Sequence, residues 1–138
     1  MSILDRILDR TQRFPKFVDP PTHAVLDYVT ASYFMLVAGA LWGRHRRASV
    51  SALINGGMVL GLSMLTDYPG GLKKISFRTH GKGDVLQMLT AATLPIVLGF
   101  AGSSAAKPLI GQALNEFLVI SITDFDAQER ARRTTRAA

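Results

Sequence analysis

The stretch THAVLDYVTASYFMLVAGALW, residues 22–42, decides the fold class of this chain. After its second residue it carries only one charged side chain, that of Asp27. Three further apolar runs of similar length follow it: residues 48–65, 85–101 and 105–122. A helix needs about 20 apolar residues to cross the bilayer core, with a range of roughly 17–25. The pattern therefore predicts an all-α integral membrane protein, a bundle of four transmembrane helices.

The alternative is a soluble helical bundle, in which each helix would need a charged outer stripe. The first three runs lack such a stripe, and this favours the membrane interpretation. The chain has 138 residues, which predicts one domain. It has no cysteine, so disulfides, thiolate zinc sites, iron–sulfur clusters and a thiol nucleophile are excluded.

We expect three segments along the chain. Residues 1–18 predict an amphipathic helix that lies in the membrane interface, or else packs on the end of the domain, because aliphatic and charged side chains alternate with helical spacing. Residues 19–126 are expected to form the four-helix membrane domain. Residues 127–138 are rich in arginine and are expected to form a solvated basic tail.

The net charge of +6 does not indicate nucleic-acid binding, because the basic residues lie between the apolar runs rather than along one face. With four spans, twelve basic residues fall on the side of both termini and four on the other. Basic residues favour the cytoplasmic side, so both termini are expected there. The expected partners are the lipid bilayer and anionic lipid head groups, with a homo-oligomer or a larger membrane complex left open.

Two short motifs recur at one spacing, which predicts an internal repeat. THAVLD at residues 22–27 matches THGKGD at residues 79–84, and TDY at residues 66–68 matches TDF at residues 123–125. Both pairs are 57 positions apart. The chain is therefore predicted to contain two equivalent helical hairpins, residues 22–68 and 79–125, related by a pseudo-twofold axis along the membrane normal.

The repeat predicts a shared polar site near the cytoplasmic face, because residues four apart share one helix face. Its expected members are His23, Asp27, Asp67, His80, Asp84 and Asp124. Glu116 and Tyr68 are secondary candidates. Thr22 and Thr79 are predicted to cap the two helices that carry the histidines.

Neutral imidazoles and carboxylates form the ligand set of a divalent transition metal, so one or two such ions are the expected cofactor. Haem held by the two histidines is less favoured, because neighbouring aspartates suit an apolar macrocycle poorly. The leading function is a membrane binding protein or accessory subunit that holds a metal ion or small ligand. The alternatives are a membrane enzyme that uses the cluster as a metal or acid–base centre, and a structural subunit with a His–Asp hydrogen-bond clip.

The segments THAVLDYVTASYFM, LSMLTDYPGGLKKISFRTHGKGD and LPIVLGF resemble small bacterial four-helix membrane proteins related to the SPW-repeat group. The resemblance implies the same fold, the same His and Asp positions, and the bacterial inner (cytoplasmic) membrane. It implies no activity. The chain departs from the group at Leu94 and Ile96, which flank Pro95 where the group has Ser and Trp.

Overall fold

The computed structural model describes residues 1–137, and its regular secondary structure is helical throughout, which confirms the all-α prediction. Six α-helices occur in this order: α1 Ile3–Thr11, α2 Pro20–Leu41, α3 Arg46–Leu65, α4 Phe77–Val97, α5 Lys107–Ile122 and α6 Ala127–Ala137. A single 3-10 turn, Ser104–Ala106, leads into α5. Extended pairing within the described chain is limited to two isolated bridges.

The helices that carry the histidines begin earlier than the sequence suggested. Asp19 caps α2 by accepting a hydrogen bond from the backbone N–H of Thr22 at 3.0 Å, and Pro20 opens the helix. Ser76 caps α4 by accepting from the N–H of Thr79 at 3.1 Å. The prediction that the two threonines are the caps was therefore wrong. Each threonine lies inside the first turn and donates to the true cap.

The helices pack in a simple sequence. Helix α2 lies against α3, α3 against α4, and α4 against α5. Their contacts are made by small side chains around Phe34, where alanines from four helices allow close approach. At the end where α2 and α4 begin, the core is more aromatic and includes Tyr68, Phe77 and Phe125. The polar site described below lies between these two apolar zones.

Helix α1 packs across the aromatic end of the molecule, against α4 and α5. Its N-terminus has a capping box, in which Ser2 and Asp5 satisfy each other's backbone N–H. Leu8 is fully buried against the core, whereas Ile3 and Phe17 are largely exposed. Residues 1–18 are therefore attached to the domain through the buried Leu8 side chain, and other apolar side chains of this segment remain exposed.

Two of the described helices, α2 and α3, are long and apolar enough to cross a membrane, with mean hydropathies of 1.5 and 1.6. Helix α4 has sufficient length, but its first two turns contain Arg78, Lys82 and Asp84. Helix α5 has 16 residues, fewer than the roughly 20 that a perpendicular span requires.

The expected solvated tail at residues 127–138 is instead helical over Ala127–Ala137, and residue 138 lies outside the described residues. Glu129 and Arg133 form an ion pair one turn apart at 3.0 Å, which supports the helix locally. Arg130 and Arg132 pair with aspartates at the ends of α5 and α3. These pairs tie α6 to the domain.

Candidate functional site

Four of the predicted site residues meet in one buried cluster. His23 and Asp27 come from α2, and His80 and Asp84 come from α4. One ligand atom of each residue lies within 4.8 Å of those of the other three. Both histidines are fully buried and both aspartates are 4% exposed. The i, i+4 spacing turns each His–Asp pair toward the other helix, as the helical period requires.

The imidazole Nε2 atoms are at the centre of this cluster. The Nε2 atoms of His23 and His80 are 3.2 Å apart. Each Nε2 is also 3.0 to 3.3 Å from one oxygen of Asp27 and one oxygen of Asp84. The two carboxylates thus lie on both sides of the pair of rings, and each bridges them.

The outer nitrogen of each ring is held by a threonine. The Nδ1 atom of His80 is 2.7 Å from the hydroxyl of Thr66, and that of His23 is 3.0 Å from the hydroxyl of Thr123. Each threonine hydroxyl donates its own proton to the backbone carbonyl four residues earlier, at 2.6 and 2.7 Å respectively. A hydroxyl has one proton, so both oxygens must accept from Nδ1–H. In the neutral rings the Nε2 lone pairs therefore point into the cluster.

The two carboxylates are supported differently. Asp27 accepts hydrogen bonds from the Tyr68 hydroxyl at 2.6 Å and from the Ser63 hydroxyl at 3.1 Å. Burial, together with the nearby Asp27 carboxylate, raises the pKa of the Tyr68 hydroxyl, so the phenol keeps its proton and donates it. Within residues 1–137, the Asp84 carboxylate forms hydrogen bonds and ion pairs only with the two histidines. Asp27 is thus held in place by two hydroxyl donors, and Asp84 by none.

Aromatic rings close the cluster at the α1 end of the molecule. The His23 ring lies edge-on to Phe77 and to Phe125, with centroids 5.3 Å away in both cases. The two phenylalanine rings are 4.9 Å from each other. Gly81 makes room for this lid, because a Cβ atom there would come within 2.8 Å of the Phe125 ring. The lid separates the imidazoles from solvent.

Several contacts occur in pairs. When each partner in a contact is replaced by the residue 57 positions before or after it, the result is a second observed contact. One such pair is the two His–Thr hydrogen bonds. One turn deeper, Gln87 donates to Asn55 at 3.0 Å and Gln112 donates to Thr30 at 3.3 Å. The two isolated backbone bridges form a third pair: Thr66 with Ile75, and Thr123 with Val18.

Asp67 and Asp124 were predicted to join the site, and the structure corrects this. The Asp67 carboxylate pairs with Arg132 and the Asp124 carboxylate pairs with Arg130, both on α6. These aspartates lie just after the last turns of α3 and α5. In each Thr-Asp pair, the side chains of the threonine and of the aspartate point in different directions. Thr66 and Thr123 occupy the inward positions, and the aspartates face outward.

The secondary candidates have different environments. Tyr68 belongs to the site through its bond to Asp27. Glu116 is 4% exposed on α5, and in the described part of the chain its carboxylate forms no hydrogen bond or ion pair. Sequence reasoning missed Thr66, Thr123 and Ser63. The signal for the two threonines was present, because both belong to the repeated TDY/TDF motif.

The arrangement offers two nitrogen and two oxygen donors around one point, with a further layer of hydroxyls that orients them. Comparison with known proteins finds no matching family, no matching curated protein and no matching solved structure. The resemblance to the SPW-repeat group therefore stays a prediction.

Proposed function

We propose that this chain is a small membrane protein that binds one divalent transition metal ion through His23, Asp27, His80 and Asp84. The observation that carries the proposal is the approach of the two Nε2 atoms to 3.2 Å, while both Nδ1 atoms are occupied by threonine hydroxyls. Two lone pairs and two carboxylates then converge on a buried point. Such a concentration of acceptors is stabilised by a bound cation or by protonation of the imidazoles.

The distances from each imidazole nitrogen to its neighbours are close to those of tetrahedral coordination, but one ligand atom from each of the four residues fits only within 4.8 Å, so the carboxylates would move inward on binding. A metal with bonds of about 2.0–2.1 Å to nitrogen and oxygen holds tetrahedral ligands about 3.3–3.4 Å apart. The Nε2–Nε2 and Nε2–carboxylate separations are 3.0 to 3.3 Å. Two imidazoles with two carboxylates suit zinc, and also iron or manganese where the coordination number can grow.

The outer hydrogen bonds support the same function. In metal sites, a ligating histidine donates its second N–H to an oxygen acceptor, which fixes the ring orientation. Thr66 and Thr123 provide that acceptor for both rings, at 2.7 and 3.0 Å. Tyr68 and Ser63 fix Asp27 in the same way. This second layer is what distinguishes the cluster from a chance meeting of charges.

A structural clip is the competing function, and the same contacts favour it in one respect. If both histidines carry a second proton, two imidazolium rings and two carboxylates balance in charge, and every Nε2–H has an oxygen within 3.0 to 3.3 Å. The two N–H groups would then meet head-on at 3.2 Å, which opposes that state. A metal ion removes this conflict.

The site favours metal holding over catalysis. Four protein ligands fill a tetrahedral shell, as in structural zinc sites, whereas catalytic sites keep a position open for water or substrate. The phenylalanine lid and the burial of the histidines also restrict access. A binding protein or accessory subunit is therefore preferred over a membrane enzyme.

We further propose that α2, α3, α4 and α5 all cross the membrane as two repeated hairpins, with both termini in the cytoplasm. Large apolar side chains remain exposed on the outer faces of these helices, among them Val29, Leu36, Ile96, Val97, Leu114 and Leu118. In water such surface would be costly, and in lipid it needs no cover. The contacts that recur at an offset of 57 support the repeat.

Metal analysis of the purified protein tests the proposed site. Wild-type protein should hold one metal ion per chain, and His23→Ala and Asp84→Asn should each abolish it. His45→Ala and Asp124→Asn are matched controls, because these residues lie outside the cluster, and both should keep the full stoichiometry. The proposal fails if the wild type takes up no metal after reconstitution, or if the controls lose metal equally.

A further inference from the structure

The opposite end of the molecule has a second feature, unrelated to the metal cluster. The turn between α2 and α3 and the segment after α4 border a shallow, open cavity of about 600 Å³. Its wall contains Arg44, His45, Arg46, Arg47, Gly99 and Ser103. Phe100 forms its floor and is almost fully buried. A cavity of this size accommodates a small ligand or a lipid head group.

The charge at this end has no counterion in the protein. Residues 28–66 and 85–115 contain no Asp or Glu. Among the described residues, none of the cavity arginines takes part in an ion pair. Three like charges brought together in this way repel one another, and an anion in the cavity would remove that cost.

The α1 end of the molecule differs, although it carries more basic residues. There Arg78 pairs with Asp9 and Asp126, and Lys82 pairs with Asp5 at 2.6 Å. Three of the α6 arginines pair with Asp67, Asp124 and Glu129. The end with the turn between α2 and α3 has four basic and no acidic side chains, whereas the rest of the chain has twelve basic and ten acidic side chains. The larger net positive charge therefore lies at the turn between α2 and α3.

The donors around the cavity are already positioned. Arg47 donates from Nη1 to the carbonyl of Leu98 at 3.1 Å, which holds its guanidinium over the segment after α4. The Arg46 guanidinium lies 4.2 Å from the centre of the Trp42 ring, a cation–π contact. The first turn of α3 has no side-chain cap, so its backbone N–H groups add further donors to the same end.

We propose that the arginine turn, Arg44 to Arg47, is a binding site for a phosphate group. Guanidinium forks bind phosphate oxygens in pairs, and uncapped helix N-termini favour the same anions. Two sources offer this chemistry: the phosphate of an anionic phospholipid and free inorganic phosphate. Trp42 is half-exposed beside the arginines, in the manner of aromatic residues at a membrane surface.

The single tryptophan of the chain supplies the assay. A phosphate that engages Arg46 changes the contact of its guanidinium with Trp42 and therefore the fluorescence of Trp42. Purified, delipidated protein is titrated with inorganic phosphate in one arm. In a second arm it is titrated with phosphatidylglycerol in mixed micelles, against phosphatidylcholine as the zwitterionic lipid. Saturation by phosphatidylglycerol alone identifies a lipid site, and saturation by inorganic phosphate identifies a site for the free anion.

The double variant Arg44→Ala/Arg47→Ala should weaken binding of the active probe at least tenfold. Arg44→Lys should weaken it less, because the charge remains and the fork is lost. Lys107→Ala, at the same end but outside the cavity wall, and Arg136→Ala, on α6, should change affinity less than threefold. Thermal melts of all variants exclude misfolding. The proposal is overturned if neither probe saturates, or if either control loses as much affinity as the double variant.

Discussion

Replacing Thr66 by valine removes the acceptor that holds the His80 ring in its tautomer. The substitution keeps the shape of the side chain and leaves the Nδ1–H of a fully buried imidazole without its partner at 2.7 Å. Loss of such an outer hydrogen bond lowers metal affinity by about 10- to 100-fold, equivalent to about 1.4–2.7 kcal/mol. Since Thr123 holds His23 at 3.0 Å, the longer distance predicts a smaller loss for Thr123→Val.

Competition with a chromogenic chelator measures the affinity directly. Thr66→Ser retains a hydroxyl and should restore affinity to within about threefold of wild type. Thr93→Val is the matched control, because the Thr93 hydroxyl also donates to the carbonyl four residues earlier, at 2.7 Å, but lies on an exposed face away from any histidine.

Two results would refute the tautomer argument. One is an affinity of Thr66→Val within twofold of wild type. The other is a loss in Thr66→Ser as large as in Thr66→Val, because that would implicate the packing of the methyl group instead of the hydroxyl. Loss of apo-protein stability without loss of metal affinity would show that Thr66 stabilises the fold and does not orient a metal ligand.

Three further outcomes are expected. Tyr68→Phe removes a donor at 2.6 Å from Asp27 and should lower metal affinity about tenfold in the same competition assay. Glu116→Gln should keep one metal per chain and raise Tm, because a buried carboxylate without a partner is costly; loss of metal would make Glu116 a ligand. The bond to Lys82 lowers the pKa of Asp5, so this contact stabilises α1 fully above the ordinary aspartate pKa of about 4 and is lost as pH falls through the lowered value. Protection of the α1 amides, measured relative to their intrinsic exchange rates, should fall over that range, and Asp5→Asn should remove the dependence.

The helical period made the core of the site predictable. His23 with Asp27, and His80 with Asp84, are one turn apart, so a helix places each pair on one face whatever the surrounding structure. The recurrence at 57 positions then paired the two helices correctly. These inferences needed only local geometry and one repeated spacing.

The ends of α3 and α5 were not predictable in the same way. The repeated TDY and TDF motifs contain a threonine and an aspartate in succession, and both are plausible ligands from the sequence. Which one faces inward depends on where the helix ends and on what lies outside it. Here α6 supplies arginines that pair with Asp67 and Asp124, and its helical structure was not expected from the sequence.

The two halves of the site are alike in what holds the imidazoles and unlike in what holds the carboxylates. Positions 63 and 68 provide two hydroxyls to Asp27, whereas the positions 57 residues later are Ile120 and Phe125, which provide none to Asp84. A carboxylate fixed by donors resists movement, and one without them can change its coordination from one oxygen to two. We therefore expect Asp84 to be the ligand that adjusts when metals of different size bind. X-ray absorption spectra of the wild-type zinc and manganese forms should therefore differ in their number of oxygen neighbours, and Tyr68→Phe should leave that difference in place, because Tyr68 holds Asp27 and not Asp84.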